Sequence, residues 1–232
     1  MKIGLFTDSH YSSREITCGN RYNSRSLQKI KDAYAYFREE KCDLVISLGD
    51  LIDREDSHEK EISNLKQIAD VIAISGIETV CVMGNHDGFA FTEDDFYGIL
   101  GGCRPENRIS DGRALIFIDA CYFKSGKHYM PGDKDWTDTF FPYEEELKKT
   151  LEGINGEVYI FMHQNLDPHI PQNHRLANAD ALCGIIEQSG KVKAVYQGHY
   201  HKGHEAEKNS VRYITLPAMC ENDNAVFTVE VI

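Results

Sequence analysis

Five short apolar runs in this chain end in carboxylates, an amide or imidazoles, and that repetition constrains the fold more than any other feature. "KIGLFT" runs into Asp8 and His10, and "DLVISL" into Asp50 and Asp53. "ETVCVM" runs into Asn85, His86 and Asp87, "EVYIFM" into His163, and "KAVYQ" into His199 and His201. The runs are short and rich in Val and Ile, which reads as β-strand. Between the first three lie segments with helical period. One carries Leu27, Ile30, Tyr34 and Phe37 between Ser26 and Glu40. The other carries Ile62, Leu65, Ile68, Ala69 and Ile72 between Ser57 and Ser75, with Gly76 placed as its C-terminal cap. Strands alternating with helices specify an α/β chain. In open α/β sheets the C-terminal strand ends line the ligand crevice. The sequence therefore predicts that the five tails meet at one site.

The remaining elements predict two sheets rather than one. "TEDD" from Thr92 reads as a capping box opening a short helix. "RISDGRALIFIDA" places Asp-Gly between two strand-like runs, a hairpin signal. Pro142 is placed to start a helix carrying Leu147 and Leu151 and closed by Gly153. Asn178 to Ser189 reads as a helix using Leu182, Ile185 and Ile186, and "VRYITL" and "NAVFTVEV" as the last strands. No repeat, low-complexity tract or linker divides the chain, so residues 1–232 are expected to form one domain. Two long polar segments stand out, Tyr122 to Phe141 and Gln164 to Ala177. Loops of this length are usually functional or loosely ordered.

The donor types narrow the chemistry. A lone Gly-Asp is more often a turn, and a lone His more often a surface or core residue. Neither reading explains five coincidences. Asp, Asn and His without thiolate favour divalent Mn, Fe, Zn, Co or Ni. Asp8, His10, Asp50, Asn85, His163, His199 and His201 are too many donors for one ion with an open position. They fit two ions about 3.5–4 Å apart that share a bridging carboxylate and clamp a phosphoryl transfer. Charge makes the metals necessary: the formal net charge is −12, which argues against nucleic acid as a general partner. Two dications facing two carboxylates would supply the positive field that a phosphate needs. Asn85 would add a ligand without adding negative charge, and would face the substrate as well.

The ordered set D-x-H, G-D-x-x-D, G-N-H-D, a single His and G-H-x-H, from Asp8 to His201, resembles the calcineurin-like metallophosphoesterase family. The resemblance implies a four-layer αββα sandwich of two mixed sheets flanked by helices. It implies one ion held by Asp8, His10, Asp50 and His201. A second would be held by Asp50, Asn85, His163 and His199, with Asp50 as the bridge. The ions would be divalent or mixed-valence Mn, Fe or Zn. It also implies that His86 is the catalytic histidine and Asp53 the acid that orients it. The stretches "NRYNSRSLQKIKDAYAYF" and "TLPAMCENDNAVFTVEV" look like the manganese-dependent ADP-ribose/CDP-alcohol diphosphatase branch. The chain departs from that branch's animal enzymes at His10, where they carry Gln.

The expected reaction is hydrolysis of small phosphate esters or nucleotide-like phosphodiesters and diphosphates. A metal-bridging hydroxide would attack and His86 would act as acid. The alternatives are a metal-dependent nuclease, and a non-catalytic scaffold, which would be expected to have lost ligands. Arg21 and Tyr22 lie near enough in sequence to the first motif to reach a substrate phosphate, or to form a surface Arg beside a packing Tyr. Asp87 serves either the site or only the following turn. Trp136, with Phe140 and Phe141, either stacks on a base or anchors its loop. His169, His174 and His204 read as solvated loop residues. No membrane span is expected, since no apolar run approaches about 18 residues. The N-terminus turns polar after six residues, which points to the cytoplasm. The seven cysteines are odd in number and lack C-x-x-C spacing, which argues against a zinc ribbon or a disulfide framework.

Overall fold

In the computed structural model of the protein, which describes residues 1–110 and 112–232, alternation along the first strand sets the layers. In β1 (Lys2–Phe6), Ile3 and Leu5 join the apolar layer between the two sheets, while Phe6 joins the layer beneath the helices. Phe6 meets Tyr34 of α1 (Ser26–Glu39) edge-on, with ring centroids 6.1 Å apart. The stripe Ile30, Ala33, Tyr34 and Phe37 buries one face of α1. β2 (Leu44–Ser47) repeats the alternation, with Leu44 and Ile46 inward between the sheets and Val45 towards the helices. α2 (His58–Ser75) adds Leu65, Ile68 and Ile72 to the helical side. Ser57 caps it by accepting from Lys60 N–H, an arrangement worth about 0.5–2 kcal/mol, and Gly76 ends it in the left-handed conformation. β3 (Thr79–Cys81) follows, then the short helices α3 (Asn85–Ala90) and α4 (Glu93–Ile99). Thr92 caps α4 by accepting from Asp95 N–H at 3.2 Å.

The second half builds the other sheet. Its elements are β4 (Arg108–Ser110), β5 (Gly112–Ile118), a ribbon of β6 (Tyr122–Phe123) and β7 (Thr139–Phe140), α5 (Glu144–Gly153) and β8 (Gly156–Met162). Then come α6 (Ala179–Gln188), β9 (Val192–Gln197), β10 (His204–Lys208), β11 (Val211–Thr215) and β12 (Thr228–Val231). The first sheet has the order β12-β1-β2-β3, and the second β10-β11-β9-β8-β5-β4. Each mixes parallel central pairs with an antiparallel edge. Leu147, Leu151, Leu182 and Ile186 of α5 and α6 cover Val158, Ile160 and Met162 of β8, whose Phe161 faces the first sheet. Truncating such a fully buried residue, Ile160 or Leu5 for example, to Ala costs about 2–5 kcal/mol.

Helices outside, two mixed sheets inside: the expected αββα architecture is the one observed. The details differ in places. α5 begins at Glu144 rather than at Pro142, and α3, β6, β7 and β10 are elements with no clear sequence signal. The expected hairpin is present as antiparallel β4 and β5, with Ser110 opposite Arg113, while Asp111 lies outside the described residues. Among the described residues no helix is long and apolar enough to cross a membrane.

Candidate metal centre

The motif-bearing loops leave β1 and β2 side by side, because those strands are parallel. Their pairing continues past the strand ends: Asp8 N–H donates to Gly49 O at 3.0 Å and His10 N–H to Asp50 O at 2.9 Å. The backbone then turns sharply. Asp8, His10, Asp50 and His199 all sit in the left-handed region, with φ of 51°, 44°, 52° and 65°. A non-glycine residue held there costs of order 1–3 kcal/mol, and such strain gathers at functional sites. Two glycines permit the close approach. A Cβ on Gly84 would collide with Asp50, and one on Gly198 with Thr7 and Asp8.

Two sets of donors converge. In the first, His10 Nε2 and His201 Nε2 approach to 3.2 Å. Asp8 Oδ1 lies 3.5 Å from the former and 3.3 Å from the latter, and Asp50 Oδ2 lies 3.5 Å from His10 Nε2. In the second, His163 Nε2 lies 3.3 Å from Asp50 Oδ2 and 3.2 Å from Asn85 Oδ1. His199 joins it, its ring centroid 5.1 Å from that of His163. Asp50 Oδ2 belongs to both sets. Donors about 2.0–2.2 Å from one ion sit about 3 Å or slightly more from each other. Asp8 Oδ1 is buried and has no hydrogen-bond partner among the described residues. An orphaned carboxylate oxygen facing two imidazole nitrogens is suited to a cation, and these residues could hold two.

The atoms that do not converge are tied down from behind. Asp8 Oδ2 accepts from Thr7 Oγ1 at 2.6 Å and His199 N–H at 2.9 Å. Asp50 Oδ1 accepts from His86 N–H at 2.8 Å. His163 Nδ1 donates to Leu48 O at 2.8 Å, and His201 Nδ1 to Glu221 Oε1 at 2.5 Å. Engaging Nδ1 as a donor leaves Nε2 with its lone pair, the form a metal needs. Sequence reasoning missed Glu221, and only its place in "TLPAMCEND" marked the segment. The turn that presents it is stitched over the first motif. Met219 N–H donates to Thr7 O and Cys220 N–H to Asp8 O, and the buried Lys29 ammonium donates to Met219 O. The turn also brings the Cys220 thiol near His10 and His201, although no thiol was expected there. Burial raises its pKa and keeps it neutral, which makes it a poor ligand.

Burial opposes charge on Asp8 and Asp50, but the facing imidazoles hold both carboxyls well below the usual range. His163 responds in kind. Burial pulls it down, yet Asp50 lifts it to about 9. Burial likewise lowers His201, and Asp8 and Cys220 raise it to about 11. His10, buried and beside His86, is lowered to about 4. In the ion-free protein, protons on His163 and His201 thus stand where cations would.

His86 is engaged differently. Its Nδ1 donates to Asp53 Oδ1 at 3.0 Å, and its ring stands edge-on to His10 at 4.5 Å. A donor atom of His86 also comes within 4.8 Å of donors on His10 and Asp50. Burial disfavours its charge, but Asp50 and Asp53 raise its pKa above the ordinary value. Asp53 is fixed by Asn23 Nδ2 at 3.0 Å, Thr17 Oγ1 at 3.1 Å and Arg54 N–H at 2.8 Å. Arg21 lies 3.8 Å from Asp53 and lines the cavity. Asp87 is turned inward, accepting from Leu51, Ile52 and Gly84 N–H at 3.0, 3.3 and 3.0 Å. It braces the loops and does not face the cavity.

That cavity, about 290 Å³, is lined by Arg21, His86, Trp136, His174, His199 and Lys202 among others. Both long polar segments therefore reach the site. Trp136 lies 5.2 Å from the His199 ring and 5.0 Å from the His174 ring. His174 is thus part of the wall rather than a solvated loop residue. Phe141 is buried in the core beneath α5 and α6 and anchors its segment. A larger groove of about 650 Å³ between α5 and α6 contains none of the converging donors.

The sequence profile described as calcineurin-like phosphoesterase matches residues 1–203. The DNA double-strand break repair protein Mre11 of Nanoarchaeum equitans (strain Kin4-M) is 23% identical over 194 residues, covering 74% of this chain and 51% of that protein. The chain thus spans about half the length of that curated relative. A dimetal phosphatase from Danio rerio is similar in structure, with a TM-score of 0.85 at 18% identity over 98% of this chain and 91% of that one. A purple acid phosphatase from yellow lupin (Lupinus luteus) seeds gives 0.54 at 16% identity, over 92% of this chain and 43% of its own. At these identities the two structures speak for the fold.

Proposed function

The chain belongs to the calcineurin-like phosphoesterase family, and from that premise we propose that it is a dinuclear-metal hydrolase of small phosphate esters or nucleotide-like phosphodiesters and diphosphates. The observation that carries the proposal is Asp50 Oδ2, which faces both donor sets at 3.5 and 3.3 Å. Asp8, His10, Asp50 and His201 would hold one ion, and Asp50, Asn85, His163 and His199 the other. Mn, Fe and Zn all suit these donors. When bound, such a pair supplies Lewis acidity towards phosphoryl oxygens and lowers the pKa of a water from about 15.7 towards about 7.

The chain's own residues do the rest. Asn85 ligates without charge, so the centre stays positive and attracts phosphate. His86, kept charged by Asp53, faces the cavity as a proton donor to the leaving oxygen or a phosphoryl oxygen. A positioned acid contributes about 10²–10⁴-fold. Arg21 stands beside Asp53 with its guanidinium on the cavity wall, where it can bind a second phosphoryl oxygen. Trp136 and His174 narrow the opening and limit the size of what enters.

The three apolar layers share strands, which supports reading 1–232 as one catalytic domain. All seven cysteines are free thiols, which suits a reducing, cytoplasmic compartment. The test is a panel of monoesters, diesters, diphosphates and DNA oligonucleotides with the Mn²⁺-loaded protein. Turnover of a small substrate, abolished by Asp50→Asn, is expected. Cleavage of DNA alone, or activity surviving Asp50→Asn, would overturn the proposal.

A further inference from the structure

Away from the centre, the segment that follows β8 folds a second group of donors against the start of β10. Asp167 has no solvent exposure, yet both of its oxygens face imidazoles. Oδ1 lies 2.8 Å from His169 Nδ1 and also accepts His169 N–H at 2.9 Å. Oδ2 lies 2.7 Å from His204 Nδ1. The two rings are tilted by 31° with centroids 5.5 Å apart, and one donor atom from each of the three residues lies within 4.8 Å of the others. Donors on opposite sides of a zinc-sized ion stand about 4.2 Å apart and adjacent ones about 3 Å, so the trio is at the spacing of a shared ion.

Charge points the same way. Among the described residues Asp167 pairs only with these two histidines, and no lysine or arginine reaches it. A buried carboxylate without a permanent cation is an electrostatic deficit. We propose that Asp167, His169 and His204 form a third cation site, separate from the Asp50 centre, for a zinc-class divalent ion. The ion takes the place of the two imidazole protons between ring and carboxylate, and each neutral ring carries its proton on Nε2 instead. His169 is exposed and His204 partly so, which gives the ion a route in from solvent.

The site has a structural consequence. Asn165 pins the base of the same segment, donating to Gly198 O at 2.9 Å and accepting from Thr215 Oγ1 at 2.6 Å. Beyond Asp167 the segment carries His174 to the cavity wall beside His199 and Trp136. An ion at Asp167 fastens that wall to β10 at a second point.

The test is zinc content after reconstituting the full-length protein with Zn²⁺ and removing loosely bound ions by gel filtration. The wild type is expected to hold one zinc more per chain than the His169→Ala/His204→Ala double variant. Asp50→Asn, which empties the main centre, is expected to keep one zinc. His204→Gln covers a folding failure of the double variant, because its amide can still bond Asp167 but supplies no imidazole; it too is expected to lose one zinc. Equal zinc in wild type and folded variants, or none in Asp50→Asn, would overturn the third site. Neither outcome depends on whether the main centre hydrolyses phosphate esters.

Discussion

Glu221 Oε1 accepts a hydrogen bond from His201 Nδ1 at 2.5 Å, and the same ring turns Nε2 to within 3.3 Å of Asp8 Oδ1. A carboxylate behind the imidazole fixes the tautomer and raises the basicity of the nitrogen in front. Glu221→Gln should therefore keep the fold and weaken binding of one ion by about 10–100-fold. Competition with a chromophoric chelator would measure this. Unchanged affinity would mean that the backbone stitching of the 219–221 turn orients His201 without Glu221.

Asp50 and Asp8 make a second comparison. Asp50 faces both donor sets and Asp8 only one. Asp50→Asn should release both ions of the centre, whereas Asp8→Asn should release one. Activity should follow, with kcat/KM at least about tenfold lower in Asp50→Asn, about 1.4 kcal/mol more transition-state stabilisation lost. Metal analysis paired with kinetics on both variants decides it, and loss of a single ion from each would refute the bridge.

Metal affinity should depend on pH with a definite sign. In the ion-free protein His163 titrates near 9 and His201 near 11, so both carry protons at neutral pH. An incoming ion must displace them. Apparent affinity should rise with pH through the range 7 to 9, with protons released on binding, and fall in acid. Calorimetry in buffers of different ionisation enthalpy would count those protons. A flat affinity over that range would be inconsistent with proton-loaded imidazoles.

The motifs made most of the site legible in advance, because chemistry-bearing residues at parallel strand ends can only converge. Asp8, His10, Asp50, Asn85, His163, His199 and His201 are all found at the converging strand ends, and the layers follow from alternation such as Ile3, Leu5 against Phe6. Glu221 was not legible, because its role depends on a turn folded back over β1 from near the chain's end. His174 was not, because its segment has no periodicity to say where it runs. Strand β10 was hidden by its composition. "HEAEK" has little β-propensity, and its pairing with β11 comes from tertiary context at a sheet edge.

His86 should separate from the ligands by what its loss leaves behind. His86→Ala should retain both ions while kcat falls steeply for an alkyl phosphate ester and less for a nitrophenyl ester, whose leaving group needs no proton. Because Asp50 and Asp53 raise its pKa, the acid form persists above the ordinary histidine range, and kcat should decline only as pH rises beyond it. Asp53→Asn should move that decline to lower pH. A lost ion in His86→Ala, or equal damage to both esters, would remove the general-acid role.

The central claim is that one carboxylate oxygen of Asp50 joins two ions. Anomalous diffraction from crystals of the Mn²⁺-loaded protein tests it directly. The account predicts two manganese peaks about 3.5–4 Å apart with Asp50 Oδ2 between them. A single peak, or two peaks that share no atom of Asp50, would contradict it.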